Sequence, residues 1–364
     1  MIEEPSMVDG ELDRLRQIGA GRSHRLGPDH AELWSALTAA GTGGKCFRPS
    51  LLVTSHDNLG GTQPVAAART AAAVETLHTA FLIHDDVIDG DDRRRGRPNV
   101  SGTFAAIARQ HGGVGETPRA YGAAAGILAG DLALVSALRT VASCGAATPV
   151  TETLLDLFEA AMHATATGEL ADVRLGLGLG DGATTVADAI RVAELKTAAY
   201  SFQLPLQAGA VLAEADPSVV ATLGEVGRRL GIGFQLWDDL LGVFGDETRT
   251  GKSNLSDLRE GKCTALIAHA RTTSAWPALQ RLVGAPGLDF AAARHARTLL
   301  TSCGAHDLVR HLAEEYLDSG LTTAIRAGLP PSLITTLTDL IDQIRDSARY
   351  GMADRTPEKV ETSG

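Results

Sequence analysis

LHTAFLIHDDVIDGDDRRRGRP, residues 77–98, decides how the rest of the chain is read. An apolar run ends in carboxylates and then turns abruptly basic. Asp85, Asp86 and Asp89 form DDxxD, and on a helix positions i, i+1 and i+4 share one side. Like charges at that spacing repel, so a helix gains nothing from them. A hard divalent cation does, because Mg²⁺ prefers carboxylate oxygen and completes its shell with waters and substrate phosphates. Arg94 and Arg95 follow with planar donors suited to phosphate oxygens. Metal-binding carboxylates beside phosphate-binding arginines point to a site for a metal-bound diphosphate.

The pattern has an echo at 219–246, VVATLGEVGRRLGIGFQLWDDLLGVFGD, where Asp238 and Asp239 again close an apolar run. Gln235 precedes Asp239 by one turn. Two such helices facing one another place carboxylates at the mouth of a bundle, where side chains on facing helices build metal sites. Below the aspartates both runs are Ala, Leu, Ile and Phe, an apolar shaft under a charged rim. A diphosphate head with a hydrocarbon tail fits that division.

Outward from these helices the chain reads as helical throughout. Ala, Leu and Gly dominate, aromatics are 4%, and no run of alternating apolar residues announces a sheet. The first run is one helix from Pro64 to the aspartates, with His78 two turns below Asp85 on the same face. Helices are expected near Val8–Ile18, His30–Ala40, Gly122–Cys144, Thr151–Leu175, Val186–Ala215 (kinked at Pro205) and Val219–Leu241. Glu169 and Asp172 stand at i and i+3 near the end of one, and Lys196, Thr197, Tyr200 and Gln203 on the next. Gly-rich loops are expected near 90–101, 112–118 and 176–184, and amphipathic helices over 264–350. In GTGGKCFRPSLL (41–52), Lys45 and Arg48 share a face at a helix start, a good place for phosphate.

The 364 residues carry 44% hydrophobic side chains, enough for a real core, and a net charge of −11, which argues against general nucleic-acid binding. The four cysteines form no CxxC and no zinc spacing, so they read as reduced thiols of a cytoplasmic protein. The acidic start lacks the order of a signal peptide, and no apolar stretch reads as a membrane span.

These motifs, in this order, resemble the trans-isoprenyl diphosphate synthases of the polyprenyl synthetase family. The family's GGK–x–x–RP is here GGKCFRP (43–49), and its first aspartate motif is DDVIDGDDRRRGRP (85–98). Its KT pair is Lys196–Thr197, its FQ–x–x–DD is FQLWDDLLG (234–242), and its following GK is Gly251–Lys252. The resemblance implies an all-α, single-domain bundle around a central substrate cavity over residues 1–350, with 351–364 a polar, disordered tail. It implies a homodimer and two or three Mg²⁺ ions held by Asp85, Asp86, Asp89, Asp238 and Asp239. The allylic diphosphate would lie on those ions with Arg94, Lys196 and Lys252 on its oxygens. Isopentenyl diphosphate would lie on Lys45, Arg48, His78 and Arg95. Thr197, Gln235 and Lys262 would complete the substrate site.

One departure from the pattern stands out. The family's second motif is usually DDxxD, but Gly242 occupies the last position here. Asp246, one further turn along, is a candidate stand-in through a water. Product length should be set one turn below the first aspartates, by Phe81 at i−4 and Ala80 at i−5. A phenylalanine there blocks very long products, which gives geranylgeranyl diphosphate (C20), with farnesyl diphosphate (C15) next. Two other readings compete with a synthase. A class I terpene cyclase has no use for the second pocket of Lys45, Arg48 and His78. A non-catalytic subunit of a heteromeric synthase is expected to lose aspartates from the first motif, and all three are intact.

Overall fold

A computed structural model describes residues 6–43, 47–179, 184–246, 256–285 and 287–352. Helices α1 (Met7–Leu26), α2 (Pro28–Ala40), α3 (Phe47–Asn58) and α4 (Pro64–Asp89) are followed by the two-residue strands β1 (Arg93–Arg94) and β2 (Arg97–Pro98). Then come α5 (Val100–Gln110), α6 (Thr117–Ala142), α7 (Thr148–Gly176), α8 (Val186–Val192), a π-helical segment (Ala193–Gln203), α9 (Leu204–Leu212) and α10 (Pro217–Phe244). A short helix α11 (Ser256–Glu260) leads into a group of helices ending in Ala305–Arg326 and Pro331–Met352. The all-α expectation holds; the β1–β2 hairpin is the sole sheet among the described residues.

The long helix α4 starts and stops where its sequence punctuates it. Pro64 sits in its first turn, and Gly90, in the left-handed region at φ 74°, ends it by donating its N–H to the Asp86 carbonyl. Its alanines at 66–68 and 71–73 are buried, so neighbours on several sides come close. α10 begins at Pro217 behind an Asp216 cap and carries Leu223, Leu230, Leu240 and Val243 into the largest apolar cluster, shared with the C-terminal helices. Each fully buried leucine contributes roughly 1.5–3 kcal/mol relative to exposure. Two further clusters fill the space where α3, α4, α7 and α9 meet and where α2, α4, α5 and α6 meet.

Several expected bounds shift. α1 continues past its glycines to Leu26, steadied by the Ser6–Asp9 capping box and by Trp34, whose indole N–H donates to the Arg16 carbonyl at 2.9 Å. Part of the expected 90–101 loop is the hairpin and the start of α5. The expected single helix over 186–215 is three segments. Pro205 has no N–H to donate, and in a regular α-helix its ring would crowd the carbonyl four residues back; here wide π turns run through Gln203 ahead of it instead of a point kink. α6 is long and apolar enough to cross a membrane by length and composition, contrary to expectation, yet it packs in the cluster formed with α2, α4 and α5. At the other end the last helix includes Gly351, which is buried, and Met352; the rest of the expected tail lies outside the described residues.

Candidate active site

Both aspartate-bearing helices present their carboxylates at the C-terminal end, where the helix dipole is negative. Asp85, Asp86 and Asp89 occupy the last two turns of α4, and Asp238 and Asp239 lie shortly before the end of α10. This geometry concentrates negative potential, and three cations from separate elements answer it. Arg94, on β1, donates to Asp86 Oδ1 through Nε at 2.8 Å and to Asp85 Oδ2 through Nη2 at 3.1 Å. Lys196, on the π segment, meets Asp85 Oδ1 at 3.2 Å, Glu169 Oε1 at 3.0 Å and Asp172 Oδ2 at 2.8 Å. Lys262 meets Asp89 Oδ2 at 3.3 Å and Glu260 at 3.0 Å.

The π segment is what brings these groups together, since it bears Lys196, Thr197, Tyr200, Ser201 and Gln203. α7 lies so close to it that a Cβ at Gly168 would overlap the backbone of Leu195 and Lys196. Glu169 and Asp172 thereby reach the lysine. On the other side Thr197 donates to Gln235 Oε1 at 2.7 Å, and Gln235 Nε2 donates to Asp239 Oδ1 at 2.8 Å, which links the segment to the second aspartate pair.

Burial and charge tune the carboxylates differently. Burial pushes Asp86 up to about 6, against its bonds to Arg94. Burial also pushes Asp239 up to about 8, helped by the neighbouring charges of Asp257, Asp238 and Asp172 and opposed by the Gln235 bond. Asp89 is raised by burial as well, against the pull of Lys262. At Asp85 burial works in the same direction, but Lys196, Lys262 and Arg94 outweigh it and the carboxyl is lowered. Burial opposes the charge on Lys196, yet Asp85, Asp172 and Glu169 hold its ammonium well above the usual lysine value.

A second, basic pole lies lower on α4. The β1–β2 turn puts both Arg95 (φ 52°) and Gly96 (φ 74°) in the left-handed region, as a two-residue hairpin of the primed type requires. Arg94 is thereby sent to the aspartates while Arg95 donates to the Thr42 carbonyl at 3.0 Å. Arg48 is buried, donates to Ser201 Oγ at 3.0 Å and lies over the rings of Phe47 and Tyr200. His78 Nδ1 is 3.2 Å from the Tyr200 hydroxyl, and burial, followed by Arg48, Arg94 and Arg95, keeps its imidazole neutral far below the usual value. Glu75, one turn below, is buried and raised, with Arg48 and Arg95 acting against burial.

The structure therefore brings Asp85, Asp86, Asp89, Arg94, Lys196 and Lys262 into one network and Thr197, Gln235 and Asp239 into an adjoining one. Arg48, His78 and Arg95 gather at the basic pole. Lys45 and Lys252 lie outside the described residues. Phe81 is half-buried with its ring edge-on to Tyr200, centroids 4.9 Å apart. Ala80 is fully buried in the cluster shared with Ala125, Ala129 and Ala133 of α6. The two expected length determinants thus belong to different packing clusters, since consecutive helical residues point about 100° apart. Glu169 and Asp172 were visible as an i, i+3 pair but not as partners of Lys196, and Tyr200 and Ser201 had no role in the sequence reading.

No three metal-binding side chains converge into a ready-made cage among the described residues. The donor set nevertheless fits Mg²⁺, which takes one or two carboxylates and fills its remaining positions with water and phosphate oxygens. Asp85, at 22% side-chain exposure, and Asp89, at 19%, are accessible to such an ion, which would replace the lysine and arginine contacts they now make.

The model of the polyprenyl synthetase family matches residues 32–294. A geranylgeranyl diphosphate synthase of Mycobacterium tuberculosis is 31% identical over 321 residues, covering 86% of this chain and 84% of that protein. A geranylfarnesyl diphosphate synthase of Aeropyrum pernix is 32% identical over 280 residues, covering 76% of this chain and 81% of that one. A crystal structure of a geranylgeranyl pyrophosphate synthase from Corynebacterium glutamicum, complexed with isoprenyl diphosphate and magnesium, superposes with a TM-score of 0.82 at 29% identity. It covers 96% of this chain and 99% of that one.

Proposed function

The chain belongs to the polyprenyl synthetase family, and from that premise we propose that it is a Mg²⁺-dependent, short-chain trans-prenyltransferase. It joins isopentenyl diphosphate to an allylic diphosphate. The observation that carries this reading is the presence of two distinct poles along α4, the carboxylates bridged by Arg94, Lys196 and Lys262 above and Arg48 with Arg95 below. Seven residues separate His78 from Asp85, about 10 Å along the helix axis, room for two diphosphates held apart.

Asp85, Asp86, Asp89, Asp238 and Asp239 would hold two or three Mg²⁺ ions, whose Lewis acidity neutralises the departing diphosphate. Arg94, Lys196 and Lys262 exchange their present carboxylate partners for its oxygens, and Lys252 joins them in binding it. Lys45, Arg48, His78 and Arg95 hold isopentenyl diphosphate so that its double bond faces the allylic carbon. A neutral His78 serves there as a hydrogen-bonding group rather than a charge. The allylic C–O bond breaks, the isopentenyl double bond attacks the cation, and a proton passes to the departing diphosphate to give the new trans double bond. Thr197 and Gln235 orient Asp239.

Phe81, backed by Tyr200, is the floor for the growing chain, and geranylgeranyl diphosphate (C20) is the product, with farnesyl diphosphate (C15) next. Ala80, packed toward α6, acts on length only through helix spacing. An exposed stripe on α6, Tyr121, Leu128 and Val135 at seven-residue intervals, supports burial against a second copy in a homodimer. A cytoplasmic location is supported by Cys144, Cys263 and Cys303, which are free thiols. The cyclase reading gives no role to the pole of Arg48 and Arg95, and the non-catalytic reading none to the intact Asp85, Asp86 and Asp89.

The test is incubation with Mg²⁺, labelled isopentenyl diphosphate and, separately, C5, C10 and C15 allylic diphosphates. Products that stop at C20 are expected. Products ending at C15 place the floor higher, and products beyond C20 take Phe81 out of that role.

A further inference from the structure

Gly242 removes the third carboxylate from the second aspartate cluster, and the structure shows what stands in its place. A Cβ built at Gly242 would overlap Asp257 Oδ2, with the Asp257 Cγ 2.8 Å away. An aspartate at 242 would carry its own carboxyl carbon about 1.5 Å from that Cβ. The Asp257 carboxylate thus lies close to where a side chain at 242 would put one, and its charge acts on both Asp239 and Lys262. Position 242 follows Asp238 by four residues on α10, so this place is stacked one turn beyond Asp238.

The placement of Asp257 is built. It lies on α11, whose Leu258 is buried at 1% exposure in the α10 cluster. The Leu258 carbonyl accepts from the Gly284 N–H at 2.7 Å, and Arg259 donates twice to the Leu288 carbonyl at 3.1 and 2.9 Å. The Asp257 carbonyl accepts from the Lys262 N–H at 3.1 Å, which sets Lys262 to reach Asp89 across the site. Asp246, the stand-in suggested by sequence, instead lies beyond the end of α10, with its N–H donating to the Gly351 carbonyl at 2.8 Å.

We propose that Asp257 supplies the third carboxylate of the second aspartate cluster from a separate helix, and that residue 242 is glycine because Asp257 fills its side-chain space. The inference rests on the prenyltransferase reading and assigns Asp257 to the same metal–diphosphate site.

The test is calorimetric titration of the full chain with inorganic diphosphate at a series of Mg²⁺ concentrations, with thermal unfolding in EDTA beside it. Asp257→Asn, isosteric and uncharged, is expected to weaken Mg²⁺-dependent diphosphate binding about 10–100-fold. Gly242→Asp alone is expected to lower the unfolding temperature, because the new side chain meets Asp257. Gly242→Asp combined with Asp257→Ala is expected to recover that temperature and to bind diphosphate within about threefold of the unaltered protein. Undiminished binding by Asp257→Asn overturns the assignment. So does a double variant that binds no better than Asp257→Ala alone. If the unaltered protein itself shows no Mg²⁺-dependent diphosphate binding, the prenyltransferase reading falls and this assignment with it.

Discussion

Replacing Lys196 by Met removes the charge that ties α4, α7 and the π segment together. Three carboxylates then lose a partner at 3.2, 3.0 and 2.8 Å. Breaking a buried pair by deleting one member costs about 3–5 kcal/mol, whereas an exposed pair is worth about 0–1 kcal/mol. Lys196 keeps 20% of its side-chain surface and its partners 17–22%, which places the loss near the lower edge of the buried range. The expected cost is about 3 kcal/mol, a shift of roughly a hundredfold in the unfolding equilibrium. Urea unfolding in EDTA at neutral pH measures it as a lower midpoint at unchanged slope. The loss should shrink on acidification, because protonating the stranded carboxylates removes their need for a partner. Added Mg²⁺ should recover part of it by taking their charge. A loss under about 0.5 kcal/mol, the scale of an ordinary surface substitution, would refute the idea that Lys196 is a structural hub as well as a diphosphate ligand.

Asp85→Ala or Asp86→Ala should lower turnover by several decades and leave the far-ultraviolet circular dichroism unchanged; unaltered turnover would sink the metal assignment. Phe81→Ala removes a ring of about the bulk of one isoprenyl unit, so chromatography should show the product lengthened, with Tyr200 as the next barrier. Metal-free stability should fall as pH rises from about 5 to 9. Asp239, at about 8, and Asp86, at about 6, are both raised above the unfolded carboxyl value, so the folded state binds more protons over that window. Thermal unfolding in EDTA across that range checks the sign, and a stability that climbs with pH contradicts it. Mg²⁺ binding should release protons over the same window, measurable as a buffer-dependent heat.

Much of the architecture could be read from the chain because its punctuation is local. Pro64 and Gly90 bracket α4, and the aspartates mark the ends of α4 and α10 without any knowledge of neighbours. The contacts that make the site depend on distant residues and left no local trace. Glu169 and Asp172 announce only a charged helix end; their role appears when Gly168 lets α7 close on Lys196. Asp257 sits fifteen residues beyond Gly242 in the sequence, so its occupation of that space is a fact of tertiary packing. The π geometry was illegible for another reason: Pro205 signals a disturbance, but a kink and a widened turn satisfy its missing N–H equally well. Ala80 and Phe81 look equivalent as neighbours above a shaft, and only the positions of α6 and Tyr200 separate them.

The most direct test of the account is the stoichiometry of a single turnover. Enzyme in excess over an allylic diphosphate, with Mg²⁺ and labelled isopentenyl diphosphate, should release one diphosphate for each isopentenyl unit incorporated, and EDTA should abolish both. Diphosphate release without incorporation would contradict the two-pole reading and point to a cyclase. Absence of both, with every primer, would contradict the assignment of this chain as a catalyst acting alone.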